Sequence, residues 1–220
     1  MARTLYIGTR NASSWAMRAW LALKEAGVAF DEVEVDIRLP QRLQNLARIA
    51  ALAPPAAVPV LVDGDAVVYD SLAIMEYAND LCGGGLLPDD VMQRAQARAL
   101  LAWQHAGLSG LCPRLSFESA FYPERRAMTA VEQVQAGRIF AAWEQTMVRS
   151  GGPWLMGALS LADLAFVPTV VRLLAHTAMP TDFPLADAWS QHLLARASVQ
   201  AWMQAARGLP PVLLDDYLPA

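Results

Sequence analysis

Residues 54–77, PPAAVPVLVDGDAVVYDSLAIMEY, decide the architecture. Val60, Leu61 and Val62 form a short apolar run, Asp63-Gly64 supplies hairpin-turn chemistry, and residues 66–69 form a second run. Asp70-Ser71 then opens a helix whose apolar positions Leu72, Ile74, Met75 and Tyr77 fall at helical spacing. Pro59 stands where a strand begins, a place where a sheet tolerates a missing N–H. The unit aims backbone groups of Val58 and a helix N-terminus at one point in space, an arrangement suited to a peptide-like anion.

Upstream, strand and helix alternate. Residues 4–8 read as a strand and 14–26 as a helix closed by Gly27. Residues 32–37 alternate polar and apolar, the pattern of a strand with one covered face. Residues 41–52 read as a helix with Leu43, Leu46, Ala47 and Ala50 on one side. With the hairpin and its helix, the order is βαβαββα over residues 1–81. Residues 82–90, CGGGLLPDD, have linker composition. Beyond them, in 91–220, no strand pattern appears. Helices are expected over 91–108, 130–149, 160–176 and 187–207, with a break or loop over 117–124. Ser160-Leu161-Ala162-Asp163 resembles a capping box with Asp in the acidic slot. The expected fold is a small α/β domain followed by an all-helical one.

Bulk properties bound the function. At 220 residues, 55% of them hydrophobic and 17% charged, the chain has ample core for two small domains. A formal charge of −4 without a basic cluster argues against a nucleic-acid surface. Cys82 and Cys112 show neither metal nor redox spacing, and their scarcity fits a reducing compartment. His105, His176 and His192 lack metal-ligand spacing, so no metal is expected. The N-terminus runs into a strand without the basic and apolar regions of a signal peptide. Residues 154–171 contain Asp163 and Pro168 and read as a buried core helix rather than a membrane span. A soluble, cytoplasmic protein is expected.

Around Arg10-Asn11-Ala12-Ser13-Ser14-Trp15, residues Asn11, Ser13 and Ser14 suit a helix N-cap. Ser71 likewise suits an N-cap, and the free N–H groups there suit a carboxylate.

In this order, Val58-Pro59, Asp70-Ser71 and the Ser160–Asp163 box resemble the cytosolic glutathione S-transferases over nearly the full length. That resemblance implies a thioredoxin-like N-terminal domain, a cis Val–Pro step and a helical C-terminal domain. Residues 10–18 resemble the Ser-Ser-Cys stretch of the zeta class with Trp15 at the Cys position. They are closer still to a bacterial subgroup with an Asn-x-Ser-Ser-Trp pattern.

The resemblance implies glutathione as co-substrate and a small hydrophobic electrophile as its partner. Ser13 and Ser14 are then the catalytic candidates, with Ser13 favoured. Asn11, Trp15, Val58, Pro59, Asp70 and Ser71 are the glutathione-binding candidates, with Asp70 on the glutamyl ammonium and Val58 pairing with the cysteinyl unit. A serine hydroxyl contributing ~1.5–3 kcal/mol and a helix N-terminus contributing ~0.3–1 kcal/mol lower a thiol pKa of ~8.5 by about two units. Where many relatives carry Lys or Gln before Val-Pro, this chain has Ala57; Arg10, Arg42 and Arg48 are the replacements on offer for the glycine carboxylate.

The electrophile is expected near Trp103, His105 and Leu108, with Arg114, Phe117, Phe121 and Tyr122 as further lining, while Trp143, Trp189 and Trp202 read as core. Relatives also imply a homodimer. Two other functions stay open: a glutathione-dependent isomerase of the maleylacetoacetate type, and a non-catalytic protein-binding module. Disulfide reduction is disfavoured because no CxxC stands at 13–16.

Overall fold

The computed structural model describes residues 2–108, 110–213 and 217. Strand β1 (Arg3–Gly8) leads into helix α1 (Ser14–Glu25), strand β2 (Asp31–Val35) and helix α2 (Arg42–Ile49). Strands β3 (Val60–Asp63) and β4 (Ala66–Tyr69) and helix α3 (Ser71–Leu81) complete a thioredoxin-like unit. The sheet order is β2-β1-β3-β4, with β1 parallel to β2 and the other two pairs antiparallel. Asp63 pairs with Ala66 across Gly64, which has φ 59°, so the hairpin lies where Asp63-Gly64 placed it. The Val58–Pro59 bond is cis, and so is Leu39–Pro40.

The remaining elements are helical: α4 (Val91–Ala102), a π-helical turn (Trp103–Gly107), a 3₁₀ turn (Glu118–Phe121), α5 (Ala130–Ser150), α6 (Leu161–Leu174), α7 (Pro184–Leu194) and α8 (Ala197–Arg207). Helix α6 is buried on every side from Leu161 to Leu173, as an apolar sequence without a polar stripe demands. Its start is the expected capping box. The buried Asp163 carboxylate accepts from Ser160 N (2.8 Å), Ser160 Oγ (2.8 Å), Leu155 N (2.9 Å) and Trp189 Nε1 (2.9 Å). The core is continuous across both halves. Met17, Leu21 and Ile74 share one cluster with Phe166, Trp143 and Trp202. Arg196 forms an ion pair with Glu25 of α1, and Trp202 Nε1 donates to Arg10 O at 3.1 Å.

Three expectations need correction. Residues 187–207 are two helices rather than one: Arg196 takes ψ 139° as the N-cap of α8 and turns its side chain to Glu25. Helix α2 ends at Ile49 and leaves Leu43 78% exposed, with Ile49 its one buried residue. Strand β2 lies at the sheet edge with Val33 exposed, so its covered face reduces to the partly buried Val35 against Ile49, Ala53 and Val60.

Candidate active-site cleft

A cleft of about 730 Å³ opens where the turn after β1, the start of α1, the segment before β3, the π-helical turn after α4, and helix α6 converge. Its outer wall begins at Gly8. A Cβ there would lie 2.8 Å from Ser13 Cβ and 2.9 Å from Ile37 Cδ1, so only glycine lets the following turn fold back onto the strand. Ala12 N and Ser13 N both donate to Thr9 O at 2.9 Å, which tightens that turn and delivers Ser13 to the N-cap of α1.

Ser13 Oγ accepts from Ala16 N at 3.3 Å, and its own proton has no acceptor among the described residues. Ser14 is the first helical residue, and its hydroxyl makes no hydrogen bond among the described residues. Both serines line the cleft. Trp15 lines it too and is 43% exposed, its ring meeting the His105 ring edge-on at 4.9 Å. Asn11 has a different occupation. It is fully buried, and its Nδ2 donates to Pro210 O at 2.8 Å, pinning the segment after α8 against the turn.

The opposite wall comes from the segment before β3. Ala56 has φ 48°, and Val58, on the cleft, has no backbone hydrogen bond among the described residues. Pro59 is buried and does not line the cleft. Asp70 does not line this cleft; it borders a separate cavity of about 410 Å³ and meets the cleft only through His105. It holds φ 72°, a region costly for a side chain bearing a Cβ and typical of ligand clamps. One of its carboxylate oxygens caps α3 by accepting from Leu72 N at 2.7 Å, and the other lies 3.5 Å from His105 Nε2. Ser71 is buried, and its Oγ has no partner among the described residues.

Of the three arginines available beside Ala57, Arg42 lines the cleft. Arg10 is held by Glu32 and the Trp20 and Trp202 rings, and Arg48 does not line the cleft.

The inner wall carries groups that the sequence reading passed over. Arg18, one turn into α1, is 3% exposed, with its guanidinium 4.1 Å from the Trp15 ring centroid. It donates to Gln104 Oε1, and Gln104 in turn donates to Thr169 Oγ1 at 3.4 Å. Arg172, 4% exposed, donates to the carbonyls of Pro168 (3.3 Å) and Cys112 (3.1 Å). Burial, reinforced by the like charge of Arg172, lowers the Arg18 pKa to about 9. Glu118 is the one carboxylate among the cleft's described lining residues, and burial pushes its pKa up. The available signal was a charged residue inside each of two apolar helices, since Lys and Arg are seldom fully buried without a purpose.

Of the expected electrophile-lining residues, His105, Leu108 and Phe117 lie on the cleft. Trp103 packs on Phe166 at 5.5 Å and Tyr122 on Tyr217 at 4.8 Å. Phe121 lines a separate cavity of about 490 Å³, and Arg114 is exposed. Among the described residues no helix is long and apolar enough to cross a membrane.

Two family models match the chain: "Glutathione S-transferase, N-terminal domain" over residues 12–81 and "Glutathione S-transferase, C-terminal domain" over residues 114–206. Glutathione S-transferase 4 of Zea mays is 31% identical over 219 residues, covering 90% of this chain and 92% of its own length. Maleylacetoacetate isomerase of Mus musculus is 29% identical over 194 residues, with 87% of each chain covered. The solved structure of a Burkholderia glutathione transferase homologue with bound glutathione superposes with a TM-score of 0.70 at 25% identity, covering 95% of this chain and all of that one.

Proposed function

The chain belongs to the glutathione S-transferase family, and from that premise we propose that its cleft binds glutathione and transfers the sulfur to a small electrophile. The observation that carries this reading is the convergence across one cleft of Ser13, whose hydroxyl proton has no acceptor among the described residues, Ser14, whose hydroxyl makes no hydrogen bond among them, and the backbone of Val58, unpaired among them. An extended peptide adds to Val58 as a further strand. Its glutamyl ammonium meets the Asp70 carboxylate, and its glutamyl carboxylate takes the Ser71 hydroxyl and the N–H groups at the start of α3. Arg42 takes the glycine carboxylate in the place left by Ala57.

Ser13 donates its free proton to the sulfur, aided by the positive end of α1. The thiol proton leaves to solvent, the thiolate attacks carbon, and the C–S bond forms as the leaving group departs or the carbanion is reprotonated. Serine stays unmodified throughout. Trp15 and His105 wall the sulfur from bulk water.

A glutathione-dependent isomerisation of the maleylacetoacetate type is the second reading, favoured by the mouse relative. It differs in that glutathione is regenerated rather than consumed. Family membership also supports a homodimer, for which the exposed Val67 and Tyr69 of β4 and Val91 and Met92 of α4 offer apolar surface. Calorimetry with glutathione, followed by turnover of a dinitro-substituted aryl halide, tests the proposal. Heat of association with conjugate formation is expected; absence of both refutes it, and binding without turnover points to a non-catalytic module.

A further inference from the structure

Resting on that reading, the inner wall of the cleft holds more positive charge than glutathione uses. Arg18 and Arg172 are both buried, both line the cleft, and neither forms an ion pair with a carboxylate among the described residues. Their hydrogen bonds run to neutral acceptors: the Gln104 amide for Arg18, and the Pro168 and Cys112 carbonyls for Arg172. Arg18 Nε, buried, has no acceptor among the described residues.

Buried guanidinium groups ordinarily find a carboxylate, because neutral acceptors satisfy geometry without neutralising charge. Here two lie close enough to depress the Arg18 pKa by mutual repulsion in addition to burial. Such a pair in a chain of net charge −4 calls for an anion that arrives from outside.

Both glutathione carboxylates have takers elsewhere: the start of α3 and Arg42. The anion therefore comes with the second substrate. Glu118 faces the same end of the cleft as a countercharge, yet one carboxylate against Arg18, Arg42 and Arg172 leaves the wall cationic. Leu108 and Phe117 complete this end with apolar surface, so the fitting molecule has a hydrophobic body and a compact acidic head.

We propose that the physiological electrophile carries a carboxylate, bound by Arg18 and Arg172, with its reactive carbon presented to the sulfur beside Ser13. For an unsaturated acid whose double bond is activated by a ketone, as in β-benzoylacrylate, the thiolate forms a C–S bond at the alkene carbon β to the ketone. The π pair moves to the carbon α to the ketone, which takes a proton from water, and the bound carboxylate emerges unchanged.

The test compares matched acid and ester ligands. With glutathione-saturated protein, calorimetric titration with β-benzoylpropionate and with its methyl ester separates anion recognition from chemistry, because neither ligand reacts. The acid should bind at least about tenfold more tightly than the ester, the factor that one charge-assisted hydrogen bond supplies. Arg172→Met should bring that ratio close to one, and Arg172→Lys should restore part of it. Equal binding of acid and ester by the native protein overturns the proposal, and this arm needs no variant to fold.

Turnover of β-benzoylacrylate and its methyl ester then reports on the transferase reading separately. If the acid analogue binds preferentially but neither acceptor is conjugated, the inference on the anion site stands and the transferase reading fails. If both are conjugated with the ester preferred, the reverse holds. A third outcome, in which Arg172→Met raises the pKa of the bound thiol and leaves the acid-to-ester ratio unchanged, assigns these cations to the thiolate and also overturns the proposal.

Discussion

Removing the Ser13 hydroxyl isolates its contribution to thiol ionisation. A free thiol titrates near pH ~8.5, and each unit of displacement corresponds to about 1.4 kcal/mol. Ser13 Oγ already accepts from Ala16 N at a long 3.3 Å and is 3% exposed, so its proton is free to be donated inside a site largely closed to water. A hydrogen bond to a charged acceptor contributes about 1.5–3 kcal/mol, and in Ser13→Ala the bound thiol should titrate roughly 1–2 pH units higher. The helix N-terminus remains in that variant and keeps a further ~0.3–1 kcal/mol, so ionisation weakens without vanishing.

Ultraviolet difference absorbance of the bound thiolate against pH reads the midpoint directly. The value of kcat/KM for an aryl halide below the native midpoint should fall by about 10–100-fold in parallel. The same substitution removes the cap of α1 and costs about 0.5–2 kcal/mol of stability, measured by urea unfolding so that misfolding is not mistaken for lost chemistry. Ser14→Ala, whose hydroxyl has no hydrogen bond among the described residues, should leave the midpoint in place. A Ser13→Ala protein that binds glutathione with an unshifted midpoint, or a Ser14→Ala protein that shifts it, refutes the assignment.

Other perturbations follow from the same geometry. Gly8→Ala puts a Cβ within 2.8 Å of Ser13 Cβ and 3.0 Å of its Oγ; urea unfolding should show roughly 1–3 kcal/mol of destabilisation, together with a raised thiol midpoint. Asp163→Ala strands the Leu155 and Ser160 amides and the Trp189 indole N–H in the core; a loss of about 3–5 kcal/mol is expected, seen in calorimetry as a Tm lower by roughly 10–15 °C. The Arg126 pair and the Thr129 cap hold Glu132 to a pKa of about 2, well below its usual 4.5. Because the folded value is depressed, that stabilisation is present above pH ~4.5 and drains as pH falls toward 2; native protein should lose about 2 kcal/mol of its margin over Glu132→Gln between pH ~5 and ~3, and a constant margin in urea midpoints would contradict this.

The hairpin, the capping box of α6 and the N-cap of α1 were legible because each is fixed by residues within a few positions of one another. Asp63-Gly64 sets its own turn, and Ser160 and Asp163 bond within three residues. The misread segments depended on what lay across from them. Leu43, Leu46, Ala47 and Ala50 make a stripe on paper, yet a stripe does not name its cover, and α2 leans through Ile49 on a small cluster with Ala53 and Val60. No glycine or proline marks the break at 195–196. It is made by Arg196 and Ser198 reaching Glu25, a partner supplied by the other half of the chain.

The same distinction separates the two ends of the cleft. The glutathione-facing end is assembled from neighbours in sequence: the turn into α1, the step before β3 and the start of α3 all lie in one βαβαββα unit, so motif and spacing expose it. The acceptor end exists only where α1 meets α6. Taken singly, Arg18 is a polar residue on a short helix and Arg172 a charge near the end of an apolar one, and both fit ordinary surface or snorkelling positions. Only the packing of α6 against α1 buries both cations on one cavity, where Glu118 is the one lining carboxylate and neither guanidinium forms an ion pair among the described residues. Sequence motifs therefore reveal the cofactor half of such a site, whereas the specificity half is read from which charges the tertiary fold leaves unneutralised.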